Sequence, residues 1–196
     1  MRQVGYPLRR RRRRSPGQAL VEFALIIPIF MLLIVSICEL AFFLTVKVGV
    51  TDATQDAVQL AAQMGNADDT DFDVLQLVEK DLSAPIDKTR IQSVVIFETD
   101  LTGKNYGAAD TYTRGGSLPN KAGTLTVPYS LSGGKGYGEG SRCNSVAISI
   151  CGGVQWIGVT ITYQYAWLTA FPTLIGLGSI NPTIVQTSTS RLEPIQ

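Results

Sequence analysis

A run of apolar residues near the N-terminus limits what this 196-residue chain can fold into. Residues 19–46 contain no charged side chain except Glu22 and Glu39. A helix rises about 1.5 Å per residue, so this run would be about 42 Å long, more than the ~30 Å hydrocarbon core of a bilayer. A cleaved secretory signal has a shorter apolar core of about 7–15 residues. The run therefore predicts a retained membrane-spanning helix.

Charge is distributed unevenly on the two sides of this run. Arg2 and the arginines at 9–14 supply 7 of the 17 basic residues, and no acidic residue precedes Gly17. The rest of the chain carries 10 basic residues against 16 acidic ones, a net charge of −6. Because cytoplasmic flanks collect Arg and Lys, the arginines predict a cytoplasmic N-terminus and an outer C-terminal part. The acidic body argues against a nucleic-acid-binding surface. The alternative is that the arginine block alone binds nucleic acid, as short basic runs do.

The elements beyond the membrane segment follow from periodicity. Steps of three and four continue the helix to residue 64, where Gly65 stops it, on an apolar face made of Val46, Val50, Ala53, Ala57, Leu60, Ala61 and Met64. A second helix is predicted over 71–83, capped by Thr70 and ended by Pro85. Strands are predicted at 90–98, 123–131, 154–167 and 183–192, with loops at 99–122 and 132–145. This order predicts an α+β fold, in which an antiparallel sheet of about four strands covers the outer half of the long helix.

The three cysteines divide between the two compartments. Cys38 lies in the apolar run, where a lone thiol usually acts as a small apolar residue. Cys143 and Cys151 lie in the outer part, where disulfides persist, so we expect them to pair rather than to remain two free thiols. If they pair, the segment between them must fold back as a small loop, because an extended chain would separate them by about 26 Å.

Residues that could carry catalysis are sparse. The chain has no histidine, the commonest general base and metal ligand. The stretch GGKGYGEG at 133–140 lacks the spacing of a phosphate-binding loop, and the acids at 68–73 lack the glycine and distal glutamate of a calcium loop. Acids favoured at a helix N-terminus explain the second pattern. We therefore expect no enzyme activity, no metal and no cofactor.

The start of the apolar run carries a recognisable motif. Gly17 is followed by QALVEFALIIP, which places Glu22 fifth after the glycine and Pro28 within the helix. With the basic leader, this pattern resembles the class III signal of type IV pilins and pseudopilins, and it is most similar to the TadE-like family of tight-adherence pilus proteins. Glu39, the Ala-rich stretch at 52–62 and parts of 154–194 are similar to later features of that family.

The resemblance implies a domain organisation. Residues 1–17 would be a cytoplasmic leader that prepilin peptidase removes after Gly17, leaving Gln18 as the new N-terminus. Residues 18–46 would span the cytoplasmic membrane once, and 47–196 would form an extracytoplasmic pilin-like domain. Glu22 would neutralise the α-amino group of a neighbouring subunit and set the register of assembly. The alternative for Glu22, and our expectation for Glu39, is a carboxylate at the membrane edge that reaches water.

The resemblance also implies a function. The chain would be a non-catalytic minor pseudopilin in the assembly or initiation of a tight-adherence pilus, possessing no nucleic-acid partner. Its partners would be prepilin peptidase, other pilins and pseudopilins, the inner-membrane assembly platform and membrane lipid. The alternative is an uncleaved single-pass protein whose outer domain binds a ligand or assists secretion. An anchored enzyme is a third reading.

Overall fold

The computed structural model describes residues 16–100, 102–103, 105–132, 136–144, 155–169, 171–174, 176 and 180–193. Its helices are α1 (Pro16–Met64), α2 (Thr70–Asp81) and the short α3 (Phe171–Leu174). Its strands are β1 (Ile91–Thr99), β2 (Asn105–Pro119), β3 (Thr126–Leu131), β4 (Trp156–Gln164) and β5 (Thr183–Arg191). The fold is α+β, as the sequence predicts.

Helix α1 is one continuous element from the apolar run into the α+β domain. Its first part is mostly apolar and continues through Pro28, whereas its second part buries small side chains, among them Ala53, Ala57 and Ala61. The helix ends where predicted. Gly65 adopts a φ of +58° and its amide donates to the carbonyl oxygen of Ala61 at 3.0 Å, the arrangement by which a glycine ends a helix.

The sheet is antiparallel throughout, with the strand order β3-β2-β1-β4-β5. The C-terminal half of α1 packs against β4 and β5, and α2 packs against α1 and β3. Both helices thus cover the same layer of side chains. The largest fully buried members of that core are Tyr112, Tyr129, Tyr137, Tyr163, Leu75, Leu82, Ile91, Ile96, Ile157, Ile161, Leu192 and Val50.

The sheet has five strands rather than four, because β2 occupies most of a segment predicted as loop. The segment contains Gly107, Gly115, Gly116 and the fully buried Asp110, so it shows no alternation of apolar and polar residues. Gly116 is required by its neighbour, because a Cβ there would lie 2.8 Å from the carbonyl oxygen of Tyr129 on β3. A Cβ on Gly107 would meet the side-chain carboxylate of Glu98 on β1. Gly116 thus allows the backbones of β2 and β3 to approach closely.

The start of α2 also differs from the prediction. Asp69, not Thr70, occupies the N-cap position, with a φ of 67°, and the Thr70 hydroxyl turns back to donate to the carbonyl of Ala67 at 2.7 Å. The free amide of Asp71 instead donates to Oε1 of Glu139 at 2.9 Å. A carboxylate 68 positions away thus satisfies one of the unpaired amides that every helix start presents.

Candidate functional site

The exposed apolar half of α1 is the first part of the candidate site. Within the described residues, this is the one helix long and apolar enough to cross a membrane, judged by length and composition, and its most apolar 18-residue window is 0% buried by the rest of the chain. Its polar side chains are internally satisfied, since Ser36 donates to the carbonyl of Leu32 at 2.7 Å and Thr45 to that of Ala41 at 2.9 Å. Such pairing suits a helix surrounded by lipid.

The predicted processing residues lie together at the N-terminal end of α1. Gly17 and Gln18 are exposed, and a Cβ built on Gly17 would meet nothing within 4 Å. Glu22 is also exposed, and its Oε1 accepts a hydrogen bond from the side-chain amide of Gln18 at 3.1 Å. The carboxylate thus lies one turn from the residue that would carry the new α-amino group.

Glu39 is placed quite differently from the expected water-facing carboxylate, and that expectation was wrong. It is only 4% exposed because the chain after β4 folds back over it. Oε1 accepts from the Tyr165 hydroxyl at 3.0 Å and from the Leu168 amide at 2.7 Å. Oε2 accepts from the amide and hydroxyl of Thr169 at 3.1 and 2.8 Å. Four donors from one loop therefore replace water around this charge.

Three aromatic rings pack edge-to-face beside the Glu39 contacts. Phe43, one turn further along α1, meets the Tyr165 ring edge-on at 5.2 Å, and Tyr165 meets Trp167 in the same way at 5.6 Å. The Trp167 indole donates from Nε1 to the carbonyl of Ile180 at 2.7 Å. We name the group formed by Glu39, Tyr165, Leu168 and Thr169 the Glu39 clamp, since it fixes this loop to α1.

A second buried charge lies at the opposite end of the domain. The Asp71 carboxylate forms an ion pair with Arg142, and both side chains are nearly inaccessible, at 4% and 0% exposed. The Tyr112 hydroxyl donates to Asp71 at 2.7 Å. Burial, and then the negative charge of Asp71, raises the pKa of Tyr112 far above its ordinary value, so Tyr112 remains a donor. Burial also raises the pKa of Tyr137 beside Arg142, to about 12.

The predicted cysteine pair is only partly described. Cys143 is buried, at 5% exposed, directly after Arg142. Cys151 lies outside the described residues, so the pairing stays a prediction. Cys38 is a free thiol on the exposed helix.

The buried charges of the domain are held by hydrogen bonds and ion pairs within the chain. Among the described residues, no three His, Cys, Asp or Glu side chains are grouped so that they could hold a metal ion. Neither Glu39 nor the Asp71–Arg142 pair was assigned its role from sequence, because their partners lie 126 to 130 and 71 positions away. Glu39 did carry one signal, a lone carboxylate late in an apolar run, where burial of a charge requires partners.

The comparisons with known proteins concern the same helix. The model of the family described as TadE-like protein matches residues 17–59, which is less than half of the chain. No match was found among curated proteins or among solved structures. The match confirms the resemblance in the segment that carries Gly17, Glu22 and Glu39. Together with the apolar helix, the match supports a membrane protein related to the tight-adherence pilus. The matched family is pilus-associated and non-catalytic.

Proposed function

We propose that this chain is a minor pseudopilin that acts in the assembly or initiation of a tight-adherence pilus, anchored once in the cytoplasmic membrane. The observation that carries the proposal is the coincidence of the family match, residues 17–59, with a helix whose apolar window nothing in the chain covers. Such a surface must be buried against lipid or against similar helices. A pseudopilin uses both environments in turn.

Processing supplies the second step of the proposal. Prepilin peptidase would cut after the exposed Gly17 and remove the arginine leader, leaving an α-amino group on Gln18. Glu22 lies one turn from Gln18 and already accepts a hydrogen bond from its side chain, so the carboxylate is close to the position of the new α-amino group. In a staggered array, Glu22 of one subunit meets the ammonium of its neighbour. The charge on Glu22 would then direct assembly with other pilins on the inner-membrane platform.

Glu22→Gln tests this proposal with the least change in shape. The amide keeps the length and hydrogen-bonding capacity of the side chain but removes the charge, so insertion and cleavage should proceed while assembly fails. A charged side chain at mid-membrane costs about 2.5–3.5 kcal/mol, so an unpaired ammonium in an apolar array should be strongly disfavoured. We expect co-purification with other pilins to fall at least about tenfold, as quantified by mass spectrometry.

The same preparations test processing. The intact mass of the wild-type and Glu22→Gln proteins from native membranes should correspond to a chain beginning at Gln18. Asp52→Asn, which removes an exposed carboxylate further along α1, is the matched control and should co-purify normally. A wild-type N-terminus at Met1 or Arg2 would contradict the proposal and favour an uncleaved anchored protein. Normal co-purification of a processed Glu22→Gln chain would contradict the role of Glu22.

A further inference from the structure

An apolar patch of the outer domain lies directly beside the exposed helix. Leu40 and Phe43 of α1 line a groove together with Trp167, Ile180 and Pro182 from the segments that follow β4. Leu168, next to Trp167, is 63% exposed and Ile180 is 56% exposed. We name these six residues the seating patch. The Glu39 clamp holds it in place, because the Leu168 amide donates to Glu39.

The seating patch lies at a defined height on α1. Glu39 is 20 residues beyond Ala19, so at about 1.5 Å per residue the two are separated by about 30 Å along the helix, the thickness of a hydrocarbon core. Leu40 and Phe43 therefore fall where acyl chains give way to headgroups. Lys47, the first basic residue of α1 after the apolar run, is exposed one turn further out.

The one polar side chain of the patch, that of Trp167, is already paired, which favours its placement in lipid. The Trp167 indole donates to the carbonyl of Ile180, so it brings no unsatisfied donor into an apolar medium. The Glu39 charge is covered by its four donors. Tryptophan is enriched at membrane interfaces because one part of the ring is apolar and its N–H is polar.

We propose that the seating patch rests in the outer interface of the bilayer and orients the domain on the membrane surface. The inference rests on the proposed membrane placement of α1. Lipid is the occupant that the structure favours, because the groove is lined in part by α1 itself and continues the uncovered apolar surface of that helix. A second copy of the chain is the other candidate, and the experiment below separates the two.

The two tryptophans of the chain provide an internal comparison. Trp167 belongs to the patch, whereas Trp156 begins β4 at the far end of the sheet. That end is fixed near Ala62, since Leu192 donates to the Gln155 carbonyl and Glu193 to the Ala62 carbonyl. Ala62 lies about 35 Å beyond Glu39 along α1, at about 1.5 Å per residue. Lipid should therefore reach Trp167 and not Trp156.

The test uses the full chain in nanodiscs that hold one copy, made either from ordinary phosphatidylcholine or from phosphatidylcholine brominated at acyl positions 6 and 7. Trp156→Phe reports on Trp167 alone, and Trp167→Phe reports on Trp156 alone. We expect brominated lipid to reduce Trp167 fluorescence at least twofold and to leave Trp156 unchanged. Equal emission of Trp167 in the two lipids, in a chain that has inserted, would overturn the inference while leaving the proposed function intact. A chain that fails to enter the discs would overturn both.

A matched pair of variants keeps the test independent of changes in folding. In the Trp156→Phe background, Leu168→Glu adds a charge to the patch while its backbone amide can still donate to Glu39. Leu125→Glu adds the same charge at a leucine 52% exposed in the β2–β3 turn. We expect Leu168→Glu to weaken the quenching at least twofold and Leu125→Glu to leave it unchanged. Equal effects would overturn the inference. So would loss of Trp167 quenching in discs that hold two copies, because a second copy that covers the patch would shield Trp167 from lipid.

Discussion

At the scale of single residues, two neighbouring aspartates show how burial sets the value of an ion pair. Asp71 and Arg142 are 4% and 0% exposed, whereas Asp68 and Lys121 pair on the surface with side chains 71% and 65% exposed. The surface pair gains little because water and salt screen it. The buried pair cannot lose one partner without leaving an uncompensated charge inside the domain. Only the buried aspartate should therefore matter for stability.

Asp71→Asn should lower the free energy of unfolding by about 3–5 kcal/mol, since Arg142 would keep its charge in a buried site without its carboxylate. Asp68→Asn, three positions earlier, should change it by less than about 1 kcal/mol. Urea unfolding of the full chain in detergent, followed by tryptophan fluorescence, measures both. Similar midpoints for Asp71→Asn and the wild type would contradict the importance of the buried pair.

At the scale of elements, the sheet depends on close contacts between particular strands. Phe97 of β1 is paired in register with Gly158 of β4, and its ring covers that glycine. A Cβ on Gly158 would come within 2.3 to 2.8 Å of three ring carbons of Phe97. The glycine therefore provides space for the ring, which packs across the strand in place of a side chain from β4.

Gly158→Ala should reduce the free energy of unfolding by about 1–3 kcal/mol, because the Phe97 ring must leave its position. The loss should be smaller in a Phe97→Leu background, where no ring occupies the space, and a double-mutant cycle would measure this coupling. Gly140→Ala is the control, because a Cβ there meets nothing within 4 Å. Equal costs for Gly158→Ala in the two backgrounds would show that the contact does not determine the effect.

At the scale of the whole molecule, the Glu39 clamp connects the apolar half of α1 to the α+β domain. Contacts between the helix and the rest of the domain include one within residues 18–46, since Tyr165, Leu168 and Thr169 donate hydrogen bonds to Glu39. Further along the helix, Glu193 donates to the carbonyl of Ala62 at 2.9 Å. Contacts at these two levels hold the sheet along α1.

Glu39→Ala should release the lower contact while leaving the sheet folded. The Leu168 and Thr169 amides would lose their acceptor, so we expect their hydrogen exchange to accelerate at least about tenfold, with β4 amides unchanged. Glu22→Ala removes a carboxylate from the same helix that has no described contact to the sheet or to the loop after β4, and it serves as the control. Residue-resolved exchange measured by mass spectrometry decides the outcome. Unchanged exchange at Leu168 and Thr169 would show that the loop is held by other contacts.

Local patterns determined much of this protein from its sequence. The apolar run and its continuation predicted α1 to within a few residues, and Gly65 ended it, because helical periodicity and a left-handed glycine are properties of neighbouring residues. The four predicted strands are present in the structure, because alternation of apolar and polar side chains is also a property of neighbouring residues. The motif from Gly17 to Pro28 also predicted the family resemblance that the match over 17–59 confirms.

The features whose partners are distant in the chain became evident only in three dimensions. Strand β2 is a strand because β1 and β3 lie on either side of it, although its glycines and Asp110 conceal it in the sequence. Glu139 accepts a hydrogen bond from the first turn of α2, Arg142 pairs with Asp71, and the loop after β4 donates to Glu39. A buried carboxylate must find donors, but nothing in its neighbouring residues states which ones. Local sequence thus predicted α1 and α2, four of the five strands and the apolar segment, whereas packing formed β2 and decided where each buried charge is neutralised.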